Sequence, residues 1–242
     1  GSLTRIDLSS VEEIGDYAFF GQMSLEDVTL GSGLKEISKY AFAYCVTLSE
    51  INLDSVEIIR EGAFFYNIGS TNLTDTYPGA GLTELNMPEV RIVEAGAFEY
   101  ALWVEKVNMP KVEEVGEMAF SGLLATATDS SGNQWNVILS SLKEVTLPTD
   151  SEIDVVLNNG AFYLSGSLET INCERVVSMG DAVFMYCMSV KEINAPECTE
   201  IGQMCFYQAE SATKIYVPLI EEVPDGAFLG TEALTSVDLP NV

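Results

Sequence analysis

Apolar residues return along this chain at a fixed step. Each unit opens on the pattern L-x-x-I-x-L, as in Leu3, Ile6 and Leu8, then Leu25, Val28 and Leu30, then Leu48, Ile51 and Leu53. Later units keep it in Leu82, Leu85 and Met87 and in Val190, Ile193 and Ala195. The last two apolar positions alternate with polar ones, which predicts a short strand with one buried face. Pro88, Pro110, Pro148, Pro196, Pro218 and Pro240 follow directly, where a proline ends ladder pairing and turns the chain. A second apolar-polar-polar-apolar step comes next, in Val11-Glu12-Glu13-Ile14, Val112-Glu113-Glu114-Val115 and Ile220-Glu221-Glu222-Val223. It predicts a second extended segment on another side of a coil. Each unit closes on a small residue plus Phe: Ala18-Phe19, Ala41-Phe42, Ala63-Phe64, Ala97-Phe98, Ala119-Phe120, Ala161-Phe162, Val183-Phe184, Cys205-Phe206 and Ala227-Phe228. A glycine stands four residues before Phe (Gly15, Gly116, Gly180, Gly202) or two before it (Gly62, Gly96, Gly160, Gly226), and this group reads as one helical turn or a short helix.

Aligned on Phe, units start at Leu3, Leu25, Leu48, Leu82, Val104, Leu142, Leu168, Val190, Ala212 and Leu234, with a basic period of 22 residues. Such a unit cannot bury its apolar face alone, and stacking units at about 4.8 Å sets Leu on Leu and Phe on Phe. The expected product is one solenoid over residues 3–242 with an internal column of nine rings, neighbouring centroids about 4.5–7 Å apart. Truncating one of these Phe residues is expected to cost roughly 3–5 kcal/mol. Three places lengthen the period: residues 65–81, 121–141 and 148–153.

Composition narrows the chemistry. The formal charge is −26, from 37 acidic against 11 basic residues, which repels phosphate backbones and anionic membranes. Apolar runs are too short for a membrane span. The chain has no histidine, which removes Ser-His and Cys-His nucleophilic sites and imidazole-based zinc sets. Cys45, Cys173, Cys187, Cys198 and Cys205 lack C-x-x-C spacing and read as buried apolar residues rather than bridges. Gly1-Ser2 reads as an expression scar ahead of the first unit.

With these units laid out, the chain resembles the BspA-like class of leucine-rich repeats of bacterial surface proteins. The resemblance rests on L-x-x-I-x-L-P, V-x-x-I-G and A-F-x-x-C, as in Ile193-Asn194-Ala195-Pro196 and Ala41-Phe42-Ala43-Tyr44-Cys45, and spans the whole chain. It implies an α/β repeat solenoid: a right-handed leucine-rich-repeat array with a parallel β-sheet on the concave face and short helical or 3-10 turns elsewhere. It implies a secreted or cell-surface bacterial protein that binds host or matrix proteins or glycans, with no catalysis and no cofactor. It also implies that Cys45 and Cys187, three residues after Phe, are buried thiols. Two departures stand out. The strand lacks the following asparagine ladder of typical leucine-rich repeats, and the negative charge exceeds what the repeat requires.

Function is expected where the period breaks. The insertions at 65–81 and 121–141 leave the coil at equivalent points about two coil spacings, roughly 10 Å, apart. They are expected to pack together and present Tyr77 and Trp135 as a composite contact site, and Asn133 in the second insertion is a further candidate binding residue. The outward first-strand positions form a polar face with Asn86, Asn108 and Tyr216, which suits a protein or glycan partner and equally suits an ordinary solvated sheet. The acid ladder Glu12, Glu13, Glu36, Glu57, Glu113, Glu114, Glu200, Glu221 and Glu222 reads as solubilising surface. Asp129-x-Ser131-x-Asn133 is only a faint echo of a calcium loop, so no metal is assigned. Asn72-Leu73-Thr74 matches a glycosylation sequon that carries no meaning in a bacterial chain. No phosphate loop or isolated carboxylate pair is present. The alternative reading is a structural spacer in a larger surface protein, and the uncapped array implies either that neighbouring sequence has been removed or that the ends meet a partner or a second copy.

Overall fold

The structure, a computed structural model, describes residues 2–69 and 81–242. The chain winds into a parallel-strand solenoid of ten coils. Each coil contributes one strand to a first face. These are Arg5–Leu8, Asp27–Leu30 and Glu50–Ile51, then Glu84–Asn86, Lys106–Asn108, Glu144–Thr146 and Thr170–Ile171, then Glu192–Asn194, Lys214–Tyr216 and Ser236–Asp238. Register follows the repeat, with Val28 opposite Ile51, Leu85 opposite Val107 and Ile193 opposite Ile215, so every apolar side chain points inward. Seven short strands from Glu36–Ile37 to Glu200–Ile201 form a continuous parallel sheet on a second face. That is the second extended segment read from the sequence.

The first face differs from the single sheet expected. It is three sheets, broken after Glu50–Ile51 and after Thr170–Ile171. Directly after each of these two strands an asparagine turns its amide back onto the preceding coil. Leu30 N–H donates to Asn52 Oδ1 at 2.7 Å, and Asn52 Nδ2 donates to the Leu30 carbonyl at 3.1 Å. Leu147 and Asn172 repeat the exchange at 2.8 and 2.9 Å. The side chain takes the place of the backbone ladder, and the strand stops after two residues.

The Phe turns also depart from expectation, since no helix forms among the described residues. Around each Phe the backbone N–H groups alternate between two kinds of acceptor. Phe19, Phe42, Phe64 and Phe98 each donate to the Ala carbonyl of the next coil at 2.7–2.8 Å, whereas Ala18 and Phe20 close local turns three residues back at 3.2 and 3.1 Å. A helix needs consecutive N–H groups bonded within one segment. Here every second one bonds to the neighbouring coil, so the turn is a third inter-coil ladder. The alternation requires left-handed backbone two residues before and after Phe, and bulky residues accept it: Tyr40 (φ 52°), Met118 (φ 54°), Tyr44 (φ 59°) and Tyr100 (φ 61°).

The nine Phe rings stack as predicted. Neighbouring centroids lie 4.9–6.0 Å apart, with interplanar angles of 3–18°. Phe64 and Phe98 flank the first insertion and Phe120 and Phe162 the second, yet their rings sit 4.9 and 5.7 Å apart. The Phe column therefore continues undisturbed across both insertions.

Candidate functional site

The second insertion is a β-hairpin. Leu123–Thr128 pairs antiparallel with Gln134–Leu139, from Leu123 opposite Leu139 to Thr128 opposite Gln134. Its turn is held by Asp129, whose carboxylate accepts from Ser131 N–H at 2.8 Å, Asn133 N–H at 2.9 Å and Asn133 Nδ2 at 2.8 Å. These donors hold the Asp129 carboxyl below the usual carboxylate range. They also tie its oxygens to the turn, and Gly132 supplies the left-handed residue (φ 83°) that such a tip needs. Asn133 is thus a turn-forming residue on an exposed tip.

Alternation along the hairpin puts Leu123, Ala125, Ala127, Trp135, Val137 and Leu139 on one face. At its base Leu123 and Leu139 pack on a small core of Val46, Ile68 and Leu102, with Tyr66 and Tyr100 beside it. Further out Trp135 is half exposed, at 49%. Ile68 belongs to the first insertion, and its carbonyl accepts from Trp103 Nε1 at 2.6 Å. The stems of the two insertions therefore meet in one apolar cluster. Tyr77, the other half of the expected composite site, lies outside the described residues.

The first-face positions do not join this site. Asn86 and Asn108 lie on adjacent strands, and Asn108 Nδ2 donates to Asn86 Oδ1 at 2.8 Å. Tyr216 stands between Asn194 and Asp238 in a different sheet. Where the ladder opens between Thr170–Ile171 and Glu192–Asn194, a cleft of about 570 Å³ forms, edged by Glu169, Asn172, Glu174, Lys191, Glu192 and Asn194.

Basic side chains bridge coils. Arg60 joins Glu36 and Glu94, both at 2.7 Å, and Lys39 joins Glu61 at 3.0 Å. Arg5, Lys35, Arg91, Lys106, Lys111, Lys143 and Arg175 pair likewise with acids of neighbouring coils, leaving only Lys191 and Lys214 without an ion pair among the described residues. Part of the acid ladder is therefore cross-linked rather than merely stacked.

The five cysteines are buried free thiols. Burial pushes Cys45 up to about 12 and Cys198 to about 11, with Cys173, Cys187 and Cys205 also raised, so none supplies a thiolate nucleophile at neutral pH. Cys45 and Cys187 instead donate Sγ–H to the Phe19 and Phe162 carbonyls of the coil before, each at 3.2 Å. Asn67 and Ser165 do the same from the equivalent position, at 3.1 and 3.0 Å. Four coils thus place a side-chain donor three residues after Phe, whereas Ala101 and Ala209 stand there in two others.

A feature left unassigned in the sequence is an outer aromatic tier beside the Phe column. Tyr17 stacks on Tyr40 at 5.2 Å, Phe20 meets Tyr44 at 5.3 Å, and Phe65 meets Tyr100 at 5.6 Å. The signal was available, because these residues recur two before, one after or two after Phe.

The repeat profile described as BspA type leucine rich repeat region matches six copies, over residues 2–125 and 137–242. The chain belongs to the BspA-type leucine-rich repeat family. The gap in the match falls within the hairpin, so Asn133 and Trp135 lie outside the BspA-type pattern. No curated protein matches the chain. Among solved structures, a leucine rich cell surface protein of Faecalibacterium prausnitzii A2-165 aligns over 98% of this chain and 78% of its own, at 21% identity and a TM-score of 0.38. A leucine-rich repeat protein of Bacteroides ovatus ATCC 8483 aligns over 97% and 78%, at 19% identity and a TM-score of 0.39. A T. pallidum leucine rich repeat protein aligns over 97% and 79%, at 20% identity and a TM-score of 0.45.

Proposed function

We propose that this BspA-type array is a secreted or cell-surface binding and adhesion module of a bacterium, and that it recognises a protein or glycan partner without catalysis. The observation that carries the reading is the hairpin at 123–139. It departs from the repeat, is anchored at its base by Leu123 and Leu139, and holds Trp135 half exposed beyond the coil. A large aromatic residue held on a rigid element is a suitable contact anchor, because little conformational entropy is lost when it is covered. Raised thiols and the lack of histidine support a role without nucleophilic chemistry.

The second reading, a spacer within a larger surface protein, draws on the first face. There Asn52, Asn172 and Asn108 bond to neighbouring coils and are not held ready for a ligand. Screening the purified chain against glycan and host-matrix protein arrays separates the two. A binding module gives a hit that weakens at least about tenfold in Trp135→Ala, a loss on the scale of one interface anchor. A hit that persists unchanged in Trp135→Ala, and in Asn86→Ala with Asn108→Ala, overturns the assignment to these surfaces. An empty screen favours the spacer.

A further inference from the structure

The position two residues before Phe forms a column along the turn edge: Tyr17, Tyr40, Gly62, Gly96, Met118, and onward to Gly226. Between Tyr40 and Met118 two successive rungs carry no side chain. A recess of about 390 Å³ opens there. The Tyr40 ring lies over Gly62, where a Cβ would strike it, and is backed by Tyr17 at 5.2 Å with the rings 8° from parallel. Phe20, Tyr44 and Phe65 line the recess, with successive centroids 5.3 and 5.6 Å apart. Tyr17 and Phe20 are exposed, so the aromatic lining reaches solvent.

Three carboxylates edge the same recess: Glu61, Glu99 and Glu117. Glu61 is satisfied by Lys39 and by the Tyr40 hydroxyl, each at 3.0 Å. Glu99 and Glu117 have no basic partner among the described residues, and the stretch 70–80 contains no lysine or arginine. Burial raises the Glu99 carboxyl, which bonds to Tyr100, and repulsion from Glu117 adds to the rise. Aromatic faces are electron-rich, and beside unpaired carboxylates they favour a compact cation. The net charge of −26 draws cations toward the surface as well.

We propose that this recess, formed by Gly62 and Gly96 between Tyr40 and Met118, receives a lysine or arginine side chain of a partner polypeptide. The inference rests on the reading of the chain as a binding module and adds a surface whose lining does not include Trp135. Titration calorimetry of the whole chain at low ionic strength, with a short peptide alternating lysine and serine, tests it. Gly96→Met fills the recess and keeps the fold, since Met118 and Met204 hold the same left-handed backbone in the same column. The Cβ it adds meets Glu99 alone, at 3.1 Å from a carboxylate oxygen at the far end of a flexible side chain and at 3.9 Å from its Cβ. The expected result is a weakening of about tenfold or more in Gly96→Met, in Phe20→Ala and in Glu99→Gln with Glu117→Gln. Glu221→Gln with Glu222→Gln, the same charge change elsewhere, is expected to alter affinity by less than about twofold. Equal loss in both double variants means diffuse charge attraction and overturns the proposal. So does no binding, or binding of a neutral oligosaccharide instead of the peptide. Trp135→Ala is expected to leave this titration unchanged, so the hairpin reading and the recess fail separately.

Discussion

The left-handed positions beside each Phe set what a residue can do in this fold. An L-residue there costs roughly 1–2 kcal/mol relative to ordinary helical backbone, and glycine avoids the cost. Gly62, Gly96, Gly160 and Gly226 made the position visible in the sequence, whereas Tyr17, Tyr40, Met118, Ala182 and Met204 concealed it. The concealment has a physical reason: a tyrosine or methionine gains contact with the next rung that offsets its backbone strain. Ala182 (φ 56°) has little side chain with which to gain such contact. Ala182→Gly is therefore expected to stabilise the chain by about 1 kcal/mol in urea unfolding, and a loss of stability would show that the methyl contact outweighs the strain. The same alternation of backbone explains why a helical turn was expected and none formed. Ala-Phe beside glycine signals a tight turn, but sequence pattern does not show that alternate N–H groups bond to the next coil.

At the scale of elements, the strands, their register and the Phe column were legible because each follows from one period. The two breaks in the first face were not, although a signal exists. In Asn86-Met87-Pro88, Asn108-Met109-Pro110 and Asn194-Ala195-Pro196, proline keeps the preceding residue extended, and Met87, Met109 and Ala195 donate to the next coil at 2.8–2.9 Å. Asn52-Leu53-Asp54 and Asn172-Cys173-Glu174 lack that proline, and there the asparagine amide folds back instead. Asn172→Ala removes both bonds to Leu147 and leaves two backbone groups to find other partners. It is expected to cost about 1–3 kcal/mol by chemical denaturation. A change below about 0.5 kcal/mol would mean that water serves Leu147 equally well. The hairpin was legible as a lengthened period and not as a hairpin. Its Leu-Leu-Ala-Thr-Ala-Thr and Gln-Trp-Asn-Val-Ile-Leu strands are weakly alternating, and the Asp129 turn that pins them becomes evident only from its hydrogen bonds.

For the whole molecule, stability is a contest between a continuous apolar column and a surface carrying far more acid than base. The ion pairs distribute the few cations between coils, so acidification acts on two populations with opposite sign. Arg60 and Lys39 hold the Glu36 and Glu61 carboxyls below their usual range through charge-assisted hydrogen bonds. Their contribution is present above the unfolded carboxylate value of about 4.3 and is lost as pH falls through the lower folded values. Burial and Glu117 raise the Glu99 carboxyl, so its contribution is full below about 4.3 and lost as pH rises through the higher folded value. As pH falls from neutrality toward the unfolded carboxylate value of about 4.3, the raised Glu99 carboxyl takes up its proton ahead of an ordinary carboxylate, and this together with relief of the −26 charge favours the folded state while the paired carboxylates stay ionised. The melting temperature is expected to rise over that interval, by about 2–4 °C for each 1 kcal/mol gained in a chain of this size, and to fall once the pH drops below the unfolded carboxylate value. Molar salt at pH 7 is expected to reproduce the rise, because it screens the same repulsion. A melting temperature that declines steadily from pH 7 to 5, with no gain from salt, would mean that the cross-coil ion pairs outweigh the excess of acid.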